Sequence, residues 1–144
     1  MLGHDAGDEV LRSAAQRLRR ALRSDDVVAR LGGDEFVALL VSEIARPDLD
    51  ALAEGIHATL SEPVVIESVT LRIGASIGIV VIENNDPRGA GQILRDADTA
   101  MYAAKTTGRG KSHYFTEQLR DRKRRHPEVQ VSAYPPSAAL RTSR

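Results

Sequence analysis

Two adjacent glycines set between alternating apolar runs constrain this chain more than any other feature. In residues 29–40, ARLGGDEFVALL, Gly32 and Gly33 separate VVARL from DEFVALLV. Two strand-forming runs that meet at a Gly-Gly pair read as a β-hairpin, because glycine takes the positive φ that a tight hairpin turn requires. Asp34 and Glu35 follow directly, so acid sits at the hairpin tip. Successive strand residues point to opposite faces, so in regular geometry one carboxylate faces a ligand and its neighbour faces away; only a distorted tip lets both converge. A hard cation such as magnesium takes one or two carboxylates and fills its other positions with water and phosphate oxygens. On these residues alone two readings stand side by side, a solvated polar turn and a metal or phosphate site.

The rest of the chain supplies partners for that hairpin. From Asp8 to Arg23, apolar residues at Val10, Leu11, Ala14, Leu18, Ala21 and Leu22 recur at helical spacing, with arginines on the other faces. A second helix is predicted from about Pro47, acceptable in a first turn, through Leu49, Leu52, Ala53, Ile56 and Leu60. PVVIESVTLRI reads as a second hairpin, ASIGIVVI as a buried strand, and ENNDPRGAG as a loop. A third helix is predicted from about Gln92 to Thr106, with Ile93, Leu94, Ala97, Ala100, Met101 and Ala104 inward and Gly108 at its C-terminal cap. SHYF is a short last strand. Beyond Thr116 the pattern is lost: five of six residues from Arg120 to Arg125 are basic, and prolines and serines follow. That stretch reads as a helix extension fraying into a disordered tail.

Composition narrows the function classes. At 144 residues the chain is one domain long, with 42% hydrophobic and 28% charged residues, a globular balance. Twenty basic residues offset twenty acidic ones, so any phosphate recognition is local rather than a property of the whole surface. With no cysteine and no tryptophan, and 3% aromatic residues, thiolate zinc sites, disulfides and base-stacking platforms are excluded or nearly so. No apolar stretch approaches a membrane span, and a cytoplasmic location is expected. The basic run at Arg120–Arg125 would give weak, salt-sensitive attachment to nucleic acid at most, so no specific nucleic-acid partner is expected.

Four separated segments, GHDAGDEVLR, RLGGDEFVALL, ASIGIVV and RDADTAMYAAKTTGRG, stand in the order and spacing of the GGDEF domain, the diguanylate cyclase family of bacteria. Residues 2 to about 116 resemble that family. The resemblance implies an α/β fold of the α+β sandwich kind, a nucleotidyl-cyclase-like palm with a mainly antiparallel central sheet flanked by helices. It implies condensation of two GTP into cyclic di-GMP and pyrophosphate by a homodimer, with Mg2+ or Mn2+ as the cofactor. By the same resemblance Asp34 binds the metal and helps activate the ribose 3′-hydroxyl, and Glu35 serves the metal or the phosphates. Gly32 and Gly33 let the nucleotide approach the backbone, and Asp8 reads the guanine edge, with His4 in the same segment. Lys105 and Arg109 match the family's phosphate-binding pair. Position alone offers plainer roles: Asp8 as a helix cap or first-turn acid, and Lys105 and Arg109 as partners of a helix C-terminal dipole. Arg23 and Asp26, in RSDD, match the RxxD product-inhibition pattern at the family's offset from Gly32; the plainer reading is an i,i+3 charge pair at a helix end.

The resemblance also implies features that residues 1–144 lack. Members of the family open with a central strand that carries a metal-binding aspartate, followed by a guanine-reading asparagine, whereas this sequence starts at MLGHDAGD. The expectation is a truncated GGDEF domain over 1–116 whose first central strand is missing, a basic, Pro/Ser-containing tail over 117–144, and weak or no cyclase activity in this form. An expectation of a different class is a non-catalytic module that senses cyclic di-GMP through Arg23 and Asp26. YFTEQL resembles the linker to a following phosphodiesterase domain.

Overall fold

Helix α1 (His4–Ala21) buries Ala6, Val10, Ala14 and Leu18, a stripe spaced by four residues along one face. The helix starts before the Asp8 suggested by periodicity, because Ala6 extends the same stripe by one turn. The structure, a computed structural model, describes residues 4–108, 110–125 and 140–143. Helix α2 (Arg46–Leu60) has Pro47 in its first turn and buries Ala53, Ile56 and Leu60 against α1. The two helices are also locked by charge. The Arg17 guanidinium donates to the carbonyls of Thr59 at 3.1 Å, Leu60 at 3.2 Å, Glu62 at 2.6 Å and Pro63 at 3.1 Å, the end of α2 where carbonyls lack helical partners.

The predicted hairpin is β1 (Val27–Gly32) with β2 (Glu35–Leu39). PVVIESVTLRI forms β3 (Val64–Ile66) and β4 (Val69–Leu71), a separate two-stranded sheet. Their turn residues Glu67 and Ser68 both take positive φ, 49° and 70°, as a two-residue hairpin with right-handed strand twist requires. Strand β5 (Gly74–Ile79) is shorter than the apolar run suggests: Ala75, Ser76, Ile77 and Ile79 are buried, while Val81 and Ile82 lie beyond its end and are exposed. Helix α3 (Ala90–Thr107) packs on β5 through Ala97, Ala100, Met101 and Ala104. It ends at Gly108 (φ 124°), the predicted cap. Strand β6 (Lys111–Tyr114) then pairs parallel with β5.

The helix extension read beyond Thr116 is present, and one strand stands where a tail was expected. Glu117–Arg125 forms helix α4, and Leu140–Ser143 forms strand β7, while 126–139 lie outside the described residues. The main sheet has the order β1-β2-β7-β5-β6, so its central position, expected to be missing a strand, is held by β7. A four-residue strand carries too little alternation to be seen in sequence, and its place is set by two flanking strands far away in the chain.

The polar contacts around Asp96 were not legible as such. Asp96, on a helix otherwise read by its apolar face, is 2% exposed and accepts from Arg88 at 3.0 Å, Arg120 at 2.7 Å and Gln92 at 2.8 Å. Arg88 and Arg120 also lie over the Phe115 ring, which ties α4 and the loop after β5 to α3. The Arg88 guanidinium beside Asp86 holds that carboxyl well below the usual carboxylate range.

His57, on α2, shares a 2.8 Å hydrogen bond between Nε2 and Ser112 Oγ, and burial lowers its pKa from the ordinary 6.5. In the unfolded chain His57 takes a proton near pH 6.5, whereas the folded chain resists it to lower pH. The unfolded state thus binds more protons in that window, and stability rises with pH across it. His57 therefore costs the fold nothing above pH 6.5 and weakens it as the pH falls from 6.5 toward the folded value. Thermal melts of the chain and of His57→Gln should diverge in slope only in that acidic window; parallel curves would contradict the assignment.

Candidate functional site at the hairpin end of the sheet

The turn between β1 and β2 is built by its glycines. Pairing runs Arg30↔Phe36 and then Gly32↔Glu35, so Leu31 is an extra residue, a bulge just before the tip. Gly32 and Gly33 take φ of 150° and 50°. A Cβ on Gly32 would meet nothing within 4 Å, so what excludes other residues there is backbone conformation rather than space. Arg30 Nε donates to the Gly33 carbonyl at 2.9 Å and closes the tip. Asp34 is half-buried in the turn, and Glu35 is 2% exposed at the start of β2. Phe36, next along, belongs to the hydrophobic core, so alternation puts the Glu35 side chain on the opposite face of the sheet.

Chain direction gathers the other candidates at the same end. Helix α1 runs antiparallel to β1 through a short turn, which brings the start of α1 back toward the tip. Asp8, exposed on that part of α1, lines with Arg12, Arg30 and Phe36 a cavity of ≈ 380 Å³ between the helix and the hairpin. The cavity has an apolar floor and charged walls. Across the sheet, register partners form one row, Lys111 to Ser76 to Arg141 to Glu35 to Gly32. Lys105, exposed in the last turn of α3, precedes that row by a few residues, so it shares the end of the sheet with the tip. His4 is the first residue of α1, and Arg109 lies outside the described residues.

Among the described residues no three His, Cys, Asp or Glu side chains come together as a metal-holding group. The tip nevertheless offers the right donor chemistry. Asp34 and Glu35 supply carboxylate oxygens, the type a hard divalent cation takes, and magnesium uses only one or two such ligands when water and phosphate complete its shell.

The RxxD pair sits elsewhere, at the turn from α1 into β1. Asp26 is buried, and its carboxylate accepts from the backbone N–H of Arg23 at 2.9 Å and of Val41 at 3.2 Å. Arg19 Nη1 donates to the Asp26 carbonyl at 2.6 Å. The carboxylate thus closes its own turn and pins the end of β2, while the Arg23 side chain is exposed. Sequence spacing could show the pair but not these long-range acceptors.

The diguanylate cyclase, GGDEF domain family matches residues 1–111. Among related proteins, the diguanylate cyclase TpbB of Pseudomonas aeruginosa is 38% identical over 139 residues, 95% of this chain and 31% of that protein. The cyclic di-GMP phosphodiesterase NbdA of the same organism is 34% identical over 118 residues, 82% of this chain and 15% of that protein. The chain therefore spans less than a third of the length of these curated relatives. A solved structure of TpbB comprising only its GGDEF domain overlays with a TM-score of 0.77 at 36% identity, covering 85% of this chain and 72% of that one. An EAL/GGDEF domain protein from M. capsulatus gives 0.72 at 40% identity, covering 80% and 74%. The α+β architecture, the signature on its hairpin and this agreement over most of the sequence lead to one conclusion: the chain belongs to the GGDEF family of diguanylate cyclase domains.

Proposed function

We propose that this chain is the nucleotide-condensing part of a diguanylate cyclase, joining two GTP into cyclic di-GMP and two pyrophosphates across a pair of facing copies. The observation that supports this reading is that Asp8, Gly32, Gly33, Asp34, Glu35 and Lys105 lie toward one end of the sheet, Asp8 on the α1 face and Glu35 on the other. Asp8, beside the cavity under the hairpin, accepts from the guanine N1 and N2 donors. The tip glycines admit the phosphates against the backbone, and Lys105 with Arg109 pairs with phosphate charge. Asp34, with Glu35, holds the divalent cation. A bound Mg2+ or Mn2+ supplies neutralisation of the charge that builds on the α-phosphate and the departing pyrophosphate. Asp34 also orients the 3′-hydroxyl for attack. The reading includes a cytoplasmic setting; among the described residues no helix is long and apolar enough to cross a membrane.

The test is chromatography of GTP incubated with magnesium and the protein. Asp34→Asn is expected to lower the rate of cyclic di-GMP formation by at least about 100-fold, since metal stabilisation is worth several kcal/mol. Equal rates for the Asp34→Asn version and its parent would remove the metal role. The alternative, a non-catalytic module sensing cyclic di-GMP through the RxxD pair, has less support. Both Asp26 oxygens already accept backbone N–H groups, which leaves Arg23 as the exposed member. Titration calorimetry with cyclic di-GMP on the chain and on Arg23→Ala separates the two: binding lost in the variant would favour the sensor.

A further inference from the structure

The cavity under the hairpin has two kinds of polar wall. Asp8 supplies a carboxylate, which accepts hydrogen bonds, and Arg12 and Arg30 supply guanidiniums, which only donate them. Leu11, Ala15, Val28 and Phe36 make an apolar floor, and the volume of ≈ 380 Å³ falls at the low end of the range for small-ligand cavities. The two guanidiniums are not equivalent. Arg30 Nε is held by the Gly33 carbonyl at 2.9 Å, so this side chain belongs to the tip as well as to the cavity and makes the two contiguous. Arg12 has no such tie: it is exposed, and among the described residues its side chain makes no hydrogen bond or ion pair.

Arg12 stands four residues beyond Asp8 on α1, which puts the two on one helix face with their Cβ atoms about 5–6 Å apart. An acid and a base at this spacing are placed to close an ion pair, yet here each lines the cavity without bonding the other. Both therefore keep their full capacity for a ligand. A carboxylate beside a guanidinium matches guanine on two edges. N1–H and the N2 amino group are donors, while O6 and N7, next to them around the ring, are acceptors. Asp8 serves the first pair but has no proton for O6, and an acceptor left unpaired in a cavity costs affinity. The arginine fork reaches O6 and N7 together, the commonest specific contact to guanine. Adenine carries an amino group where guanine has O6, so it would set a donor against a donor.

We propose that Arg12 is a specificity-determining residue, donating to guanine O6 and N7 while Asp8 accepts from N1 and N2, with the base over the apolar floor and its phosphates passing toward Gly32 and Gly33. The assignment rests on the reading of Asp8 as the guanine acceptor and adds the second edge of the base to it.

The test is titration calorimetry of nucleoside diphosphates, with magnesium, on the full chain and its variants. The probes are GDP, inosine diphosphate, which lacks the N2 amino group, and 7-deaza-GDP, which has a C–H in place of N7. The parent is expected to bind GDP at least about five-fold tighter than 7-deaza-GDP, the worth of one hydrogen bond to a charged group. Arg12→Ala is expected to weaken GDP by at least about ten-fold and to bring that ratio close to one, with the preference for GDP over inosine diphosphate unchanged. Asp8→Ala should do the reverse, losing the inosine preference and keeping the 7-deaza ratio. The ratio carries the assignment, because removing any positive charge weakens a phosphate ligand. Arg12 is exposed on a helix and alanine favours helix, so the fold is not at risk. A ratio unchanged in Arg12→Ala, or absent from the parent while GDP still outbinds ADP, overturns the role of Arg12 alone. A parent that binds GDP no tighter than ADP overturns the Asp8 reading, and this assignment with it.

Discussion

Gly78→Ala is expected to destabilise the fold by about 3 kcal/mol, the upper part of the usual range for overpacking. Helix α3 lies so close to β5 at this point that a Cβ on Gly78 would stand 2.2 Å from the Ala97 carbonyl oxygen, 2.4 Å from the Met101 nitrogen and 2.9 Å from its Cα. All three are backbone atoms, so no side-chain rotation relieves the clash, and α3 must lift from the sheet. Lifting it would loosen Ala97, Ala100, Met101 and Ala104, each no more than 2% exposed. Denaturant melts measure the loss. Gly55→Ala in α2 is the control, since a Cβ there meets nothing within 4 Å and alanine favours helix by about 0.5–1 kcal/mol. If Gly78→Ala melts within about 0.5 kcal/mol of the parent, the range of neutral surface changes, α3 is not seated as described.

Asp96→Ala is expected to cost about 2–4 kcal/mol, somewhat below the usual figure for breaking a buried ion pair. Asp96 takes three side-chain hydrogen bonds, and its loss strands Arg88, Arg120 and Gln92 around an empty site. The discount follows from exposure: the arginine side chains are 19% and 25% exposed, and they keep Asp86 and Glu117 as partners. Because Arg120 lies on α4, the variant should also release that helix, seen as faster amide exchange over 117–125 than over α1. Asp96→Asn retains the shape and one acceptor oxygen, so it should fall between the two. Equal stability of the chain and Asp96→Ala would show that the arginines are satisfied without it.

Much of this fold is written locally. The hairpin at Gly32 and Gly33 follows from two alternating runs and two residues free to take positive φ, and the structure has both features. The three long helices follow from stripes at 3.6-residue spacing, with Pro47 and Gly108 as punctuation. The family resemblance rests on residues of this kind, because turn glycines and their adjacent acids are read one after another along the chain. The candidate site is only partly of that nature. Asp34 and Glu35 are adjacent in sequence, but Asp8 and Lys105 reach the same end of the sheet only because α1 doubles back along β1 and α3 turns into β6.

What the sequence by itself determined is therefore the set of elements, the hairpin tip and its acids, since turn stereochemistry and side-chain periodicity depend on near neighbours. Tertiary structure decided which polar groups became interior ones. Arg17 is a capping group for α2 and Asp26 a turn lock, because carbonyls and N–H groups distant in the chain come within reach. It also decided that LRTS is the middle strand of the sheet. Four polar-rich residues have little preference of their own; two parallel strands with buried edges impose an antiparallel partner between them.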